Sequence, residues 1–180
     1  MRRFVEALNF AALRHRAHRR KGVAGTPYIN HLIEVAHILS SHGLEDEVLL
    51  AAAVLHDSVE DVGVTPDELR ARFGDEVTAV VLEMTDDTTL SPADRKQYQV
   101  EHAGSLSERG QNLKVADKIS NLRGILTSPP TNWSRDRKLS YYRWAKSVVD
   151  RCALADERLR RTFRDLHDTG LLALDLSPRD

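Results

Sequence analysis

The stretch Leu55-His56-Asp57-Ser58-Val59-Glu60-Asp61 sets an imidazole beside a carboxylate and adds two more carboxylates just beyond them. In a helix, a step of four residues is slightly more than one turn, so His56 would lie near Glu60 and Asp57 near Asp61. The preceding residues 48–55 are apolar nearly all round, which reads as a buried helix. Three carboxylates and an imidazole at the end of a buried helix are costly without a cation. The combination points to a metal site. Glu60 and Asp61 are then placed to take the proton of a water and to orient it. The competing reading is a solvated acidic helix end near Thr65. Acidic groups at a helix C-terminus oppose the macrodipole, a cost that a nearby cation would offset.

One helix cannot complete a metal shell. Two further donors stand out: His31, in Thr26-Pro27-Tyr28-Ile29-Asn30-His31, and Asp117, in Lys114-Val115-Ala116-Asp117-Lys118-Ile119-Ser120-Asn121. Asp117 interrupts an apolar helical pattern one residue past an inward alanine, and a half-buried aspartate needs a salt bridge, a cap or a cation. Taken alone, Asp117 reads more simply as the ion-pair partner of Lys114, Lys118 or Arg123 than as a ligand, and His31 as a cap or a satisfied core histidine. Arg19-Arg20-Lys21 precedes a glycine-containing loop and could reach phosphates. On spacing alone this run is as well explained as an exposed basic helix end, which the dipole favours.

The elements that must position these groups are helical. Phe4, Leu8, Ala11, Ala12 and His15 stripe a first helix ending near Lys21, followed by a loop over 22–27. Leu32, Val35, Ala36 and Leu39 mark a second helix closed by Gly43. Asp46 is an N-cap for the helix leading to His56. Thr65-Pro66-Asp67-Glu68 is a capping box with proline at the first helical position, and Gly74 closes that helix. Val77, Val80, Val81 and Met84 stripe the next, and Ser91-Pro92-Ala93-Asp94 opens another. A long helix over roughly 111–126 turns Leu113, Ala116, Ile119, Leu122 and Ile125 or Leu126 inward. Ser134 caps a helix carrying Leu139, Tyr142, Val148 and Val149, in which Trp144 belongs to the core. A last helix carries Leu159, Phe163 and Leu166 and ends at Gly170. No hairpin or repeat is evident. The fold is all-α, a single-domain bundle of about eight to ten helices.

The 180 residues suffice for one domain with a core. A net charge of −1 implies no broad basic surface, so nucleic acid is not an expected partner. No apolar run spans a membrane, and Met1-Arg2-Arg3 is followed by no secretory h-region. The lone cysteine, Cys152, sits in a helical pattern and packs as a small apolar residue. A chain with one cysteine fits a reducing, cytoplasmic setting.

The ordered motifs resemble the HD-domain hydrolases, specifically the small alarmone hydrolases of the RelA/SpoT type and their metazoan SpoT homologues. The likeness runs from about Phe4 to Val149 through Arg19-Arg20-Lys21, Thr26 to His31, Leu55 to Asp61, Phe73-Gly74, Thr85-Asp86-Asp87, Arg95-Lys96, Ala116 to Leu122 and Trp133-Ser134. The resemblance implies an HD-type phosphohydrolase domain over residues 1–170 with a tail over 171–180. It implies one Mn2+ ion per chain held by His31, His56, Asp57 and Asp117, with Glu60 and Asp61 catalytic. Imidazole and carboxylate donors with open positions suit manganese or ferrous iron better than an all-sulfur zinc site does. Such an ion lowers the pKa of bound water and polarises a phosphoryl oxygen. The implied substrate is a small nucleotide, (p)ppGpp, cleaved at its 3′-diphosphate. Arg20, Lys21, Tyr28, Asn121, Arg137 and Tyr141 are the implied substrate contacts.

The chain departs from the family pattern at three places. Thr88 and Pro92 stand where lysines are frequent, and His18 stands where glutamine is common. Loss of two cations opens two alternatives at the same site: an adenine alarmone such as ppApp, or the 2′-phosphate of NADPH. A non-catalytic alarmone receptor is a further alternative, against which Glu60 and Asp61 argue. The length leaves no room for a synthetase domain, so hydrolysis without synthesis is expected. Oligomeric state is left open.

Overall fold

Two helices form the centre of the molecule because neither has a side to give to water. In the computed structural model, which describes residues 1–22 and 25–175, these are α3 (Glu47–Leu55) and α8 (Glu108–Thr127). Around them, in chain order, stand α1 (Arg2–Arg14), α2 (Ile29–Ser41), α4 (Ser58–Val62), α5 (Pro66–Phe73), α6 (Asp75–Met84), α7 (Pro92–His102), α9 (Arg135–Val149) and α10 (Glu157–Asp175), with a 3-10 turn at Ala103–Ser105. The described residues are thus all-α. α3 is buried from Val48 to Leu55 except at Leu50, and its alanines let α1, α2 and α6 approach closely. α8 is buried continuously from Gly110 to Ser120, against α2, α6, α9 and α10. Its buried polar residues therefore point at protein or at an internal cavity, not at bulk water. Among the described residues no helix is long and apolar enough to cross a membrane.

Most caps fall where turn chemistry places them. Asp46 accepts the Leu49 N–H at 2.8 Å, Thr65 accepts that of Glu68, Ser91 that of Asp94 and Ser134 that of Arg137. Gly43, at φ +77°, ends the turn after α2 and donates to the Ser40 carbonyl at 2.8 Å. Ile125, not Leu126, is the inward residue at the end of α8.

Several boundaries differ from the sequence reading. α1 stops at Arg14, not near Lys21. Beyond it the chain pairs with itself: Tyr28 N–H bonds the His18 carbonyl at 3.0 Å and Arg20 N–H the Thr26 carbonyl at 2.9 Å. Arg19-Arg20-Lys21 is therefore one arm of a small antiparallel loop, not a helix end. Val23 and Ala24 of that expected loop lie outside the described residues, as do residues 176–180 of the tail. Cys152 sits in the connection after α9, fully buried, its thiol near the Val148 carbonyl. Trp144 is half-buried and donates its indole N–H to the Lys96 carbonyl at 3.0 Å.

Gly170 does not end the last helix, which continues to Asp175. Its role is close approach: a Cβ there would overlap the ring of buried Tyr142. Overpacking of this kind costs about 1–3 kcal/mol. Gly170→Ala is therefore expected to lower stability by that amount despite alanine's better helix propensity, as measured by urea unfolding. A stabilised variant would show that the α9–α10 contact is not tight.

Candidate metal centre

The uniform helix expected through His56 and Asp61 is broken at its chemically important point. His56 Nδ1 lies 2.8 Å from the Ala53 carbonyl, the acceptor that the Asp57 N–H would use in a continuing helix. Asp57 takes φ −96°, ψ 3°, and α4 starts afresh at Ser58. Glu60 and Asp61 consequently stand in the first turn of a short new helix. They do not end the buried helix, so the expected opposition to its C-terminal dipole does not arise.

The break carries His56 and Asp57 against α2 and α8. His56 Nε2 is 3.1 Å from Asp57 Oδ2 and 3.8 Å from Asp117 Oδ1. His31 Nε2 is 3.3 Å from Asp117 Oδ1 and 3.7 Å from Asp57 Oδ2. Donor atoms of His31, His56 and Asp117, all three buried, lie within 4.8 Å of one another. Four side chains from two helices and one helix break thus meet at one place.

Hydrogen bonds on the far sides of the rings fix what faces the centre. His56 Nδ1 is engaged by Ala53. His31 Nδ1 lies 2.8 Å from Ser120 Oγ, which donates to Glu34 Oε2 at 2.7 Å. A hydroxyl that donates to a carboxylate accepts from the ring, so both Nε2 atoms turn lone pairs inward. His56 Nε2 is buried with no hydrogen-bond partner. Two lone pairs facing two carboxylates repel unless a cation sits between them. Separations below 4 Å suit donors sharing one small divalent ion, with bonds of about 2.0–2.2 Å. The donor set therefore fits a divalent metal, and the carbonyl and serine contacts behind the rings are the usual means of aiming imidazoles at one.

Without an ion, a proton on His56 Nε2 takes the cation's place between the carboxylates, and a metal would displace it. Burial alone would lower His56, but Asp57 and Asp117 outweigh it and raise the imidazole to about 10. Burial holds His31 below its usual range despite Asp117. Against their burial, Asp57 is depressed by His56 and Asp117 by Lys118. Burial and neighbouring carboxylates, chiefly Asp86 for Glu60 and Asp57 for Asp61, raise both of these acids. Arg95 contacts Glu60 Oε1 at 3.1 Å, and the Asp86 N–H reaches Oε2 at 3.4 Å.

A cavity of about 180 Å³ opens beside the cluster, lined by Tyr28, Glu60, Asp61, Asp86, Gln99, Lys114, Lys118 and Asn121 as well as the four donors. Tyr28 donates to Asp57 Oδ2 at 2.7 Å, and Asn121 donates to Asp117 Oδ1 at 2.7 Å. Arg20 stands one step behind, donating to Asn121 Oδ1 at 3.1 Å. The other expected substrate contacts do not line the cavity. Lys21 is exposed, Arg137 lies over the Trp133 ring at 4.7 Å, and Tyr141 packs between Trp133 and Trp144. His18 stacks on Tyr28 with ring centroids 3.9 Å apart. Sequence reasoning passed over Lys118, which pairs with Asp117 at 3.1 Å, except as a bland ion-pair partner. It gave no role to Gln99 and Ser120, whose polar character within helical segments was the available signal, or to Asp86, which lies in the loop between α6 and α7. A larger groove of about 660 Å³ lies across α3, α6 and the start of α8. Its cation, Arg109, is already held by Asp46 at 3.0 Å and Glu76 at 3.6 Å, so size does not make it the reactive site.

The chain is similar to proteins of known type along nearly its whole length. A family model described as HD domain matches residues 7–139. A mouse protein (Mus musculus) named guanosine-3′,5′-bis(diphosphate) 3′-pyrophosphohydrolase MESH1 is 44% identical over 171 residues, covering 94% of this chain and 96% of its own. The human protein (Homo sapiens) of the same name is 44% identical over 163 residues, 90% and 91% of the two chains. A solved structure described as a metazoan ortholog of SpoT that hydrolyses ppGpp superposes with a TM-score of 0.89 at 39% identity, covering 93% and 94%. The lmo0812 structure from Listeria monocytogenes gives a TM-score of 0.66 at 29% identity, covering 79% of this chain and 99% of its own.

Proposed function

We infer the activity from one premise: this chain belongs to the HD-domain family. It hydrolyses the 3′-diphosphate of the guanosine alarmones (p)ppGpp to GDP or GTP plus pyrophosphate, the reaction that its relatives carry in their names. The observation that carries this reading is the convergence of His31, His56, Asp57 and Asp117 with two inward lone pairs. These four are the ligands of one divalent ion, and their mixed nitrogen and oxygen donors favour Mn2+. When bound, the ion supplies a Lewis acid that polarises the phosphoryl group and acidifies water.

The chain's own residues do the rest. Glu60, held by Arg95, accepts the proton of the attacking water, and Asp61 orients that water. The water oxygen bonds to the phosphorus, the bond from phosphorus to the ribose 3′ oxygen breaks, and the proton taken up by Glu60 passes through solvent to that oxygen, which restores the base. Tyr28 and Asn121 brace Asp57 and Asp117 and face the substrate. Arg20, Lys21, Arg137 and Tyr141 receive the nucleotide's outer phosphates and base. A second reading keeps this site and takes ppApp or the 2′-phosphate of NADPH. It is favoured by Thr88 and Pro92, exposed and uncharged around the start of α7. Incubating the Mn2+-loaded protein with ppGpp, ppApp and NADPH side by side decides between them. Release of GDP and pyrophosphate from ppGpp is expected to dominate, and preference for either other nucleotide would overturn the choice of substrate.

The Ser120 relay gives a subtler test. Ser120→Ala removes the group that aims His31, and losses behind a metal ligand typically weaken binding about 10–100-fold. Competition with a chromogenic chelator should read that drop, with helical content unchanged. Unaltered affinity would remove Ser120 from the metal's support.

A further inference from the structure

Lys114 is 4% exposed and lies on α8 one turn before Asp117 and Lys118. It lines the same cavity as Asp57, Glu60, Asp61 and Asp86. Buried lysines are rare unless paired, yet among the described residues its ammonium makes no hydrogen bond or ion pair. The other cations around the cavity are committed. Lys118 serves Asp117 at 3.1 Å, Gln99 at 3.2 Å and the Trp144 face at 4.4 Å. Arg95 serves Glu60, and Arg20 serves Asn121. The nearby acceptors are committed too: Asp86 takes the Gln99 amide at 2.6 Å, and Asp117 takes Lys118 and Asn121. Burial depresses Lys114 below the usual lysine range, against the fields of Asp117, Asp86 and Asp57. An ammonium that lines the cavity without a protein partner is placed to receive an incoming anion.

We propose that Lys114 is a catalytic residue whose ammonium contacts a non-bridging phosphoryl oxygen of the reacting diphosphate from the α8 wall of the cavity. This rests on reading the site as a phosphohydrolase. The lysine supplies a fixed positive charge where phosphoryl charge is redistributed, and no ligand of the ion can play that part. Removal of one such preorganised donor typically costs about 10²–10³ in kcat.

The test uses the full, Mn2+-loaded chain. Lys114→Met is expected to keep one ion per chain and its melting temperature, while kcat on ppGpp falls about 100-fold. A kcat within twofold of wild type, or loss of the metal, overturns the proposal. A second measurement needs no variant. Wild-type protein is acetylated briefly with acetic anhydride, with and without inorganic phosphate, and lysine labelling is mapped by mass spectrometry. Phosphate should protect Lys114 several-fold and leave exposed Lys146 unchanged. Labelling of Lys114 that is absent in both states, or equal in both, overturns the contact. If wild-type protein does not turn over ppGpp, the activity is wrong, and the protection experiment still judges Lys114.

Discussion

Asp57→Ala is expected to strip the protein of its metal and to reduce ppGpp turnover by at least about three orders of magnitude, since the ion supplies several kcal/mol of transition-state stabilisation. Asp57 Oδ2 is where the site's contacts cross: 3.1 Å from His56 Nε2, 3.7 Å from His31 Nε2 and 2.7 Å from the Tyr28 hydroxyl. The substitution removes one of the two anions opposite the imidazole lone pairs. What remains, two neutral nitrogens and Asp117, is a weaker set, and Lys118 already offsets Asp117. Helical content should survive, because the break before α4 depends on the His56–Ala53 contact and not on the Asp57 side chain. Metal analysis after gel filtration, paired with product chromatography, reads both effects. A variant that emerges with one ion per chain and undiminished turnover would remove Asp57 from the centre, and with it the four-donor arrangement.

The parts of this arrangement legible in the sequence are those with local causes. Asp46, Thr65, Ser91 and Ser134 are caps because a short oxygen-bearing side chain before a helical stripe has one good use, and each is found bonding its N–H partner. The buried character of α3 follows from an apolar run with no polar face. The break at His56-Asp57 was not legible, because it depends on an imidazole bonding its own helix, and periodicity does not register such a competition. Nor was the continuation of α10 past Gly170, where glycine answers to a tyrosine ring on another helix and not to a cap. α8 shows the same limit from the other side. Its lysines, asparagine, aspartate and serine look like a polar face when the helix is read alone. They become an internal lining only when five neighbouring helices close around it. That His31, His56, Asp57 and Asp117 belong together was therefore readable, while the partners of Lys118 and Ser120, and the lack of one for Lys114, required the packing.

Glu60→Gln separates holding the metal from using it. Glu60 is no member of the inner cluster: its oxygens face Arg95 at 3.1 Å and the Asp86 N–H at 3.4 Å. The glutamine is nearly isosteric and keeps an acceptor for Arg95, so one ion per chain should remain bound. What it cannot do is take a proton, and loss of a positioned general base typically costs about 10²–10⁴ in rate. The pH profile gives an independent reading. Burial and the charge of Asp86 raise the Glu60 carboxyl above its ordinary range, so it is protonated at a higher pH than an exposed glutamate. Wild-type kcat/KM should therefore fall on acidification through a limb lying above the usual carboxylate range, as the raised group becomes an acid and stops accepting. In Glu60→Gln the residual rate should lose that limb. Asp61 is the internal control, since burial and Asp57 raise it as well. If the glutamine variant keeps wild-type turnover and the same acidic limb, the proton goes to Asp61, and Glu60 is left as the residue that anchors Arg95 beside it.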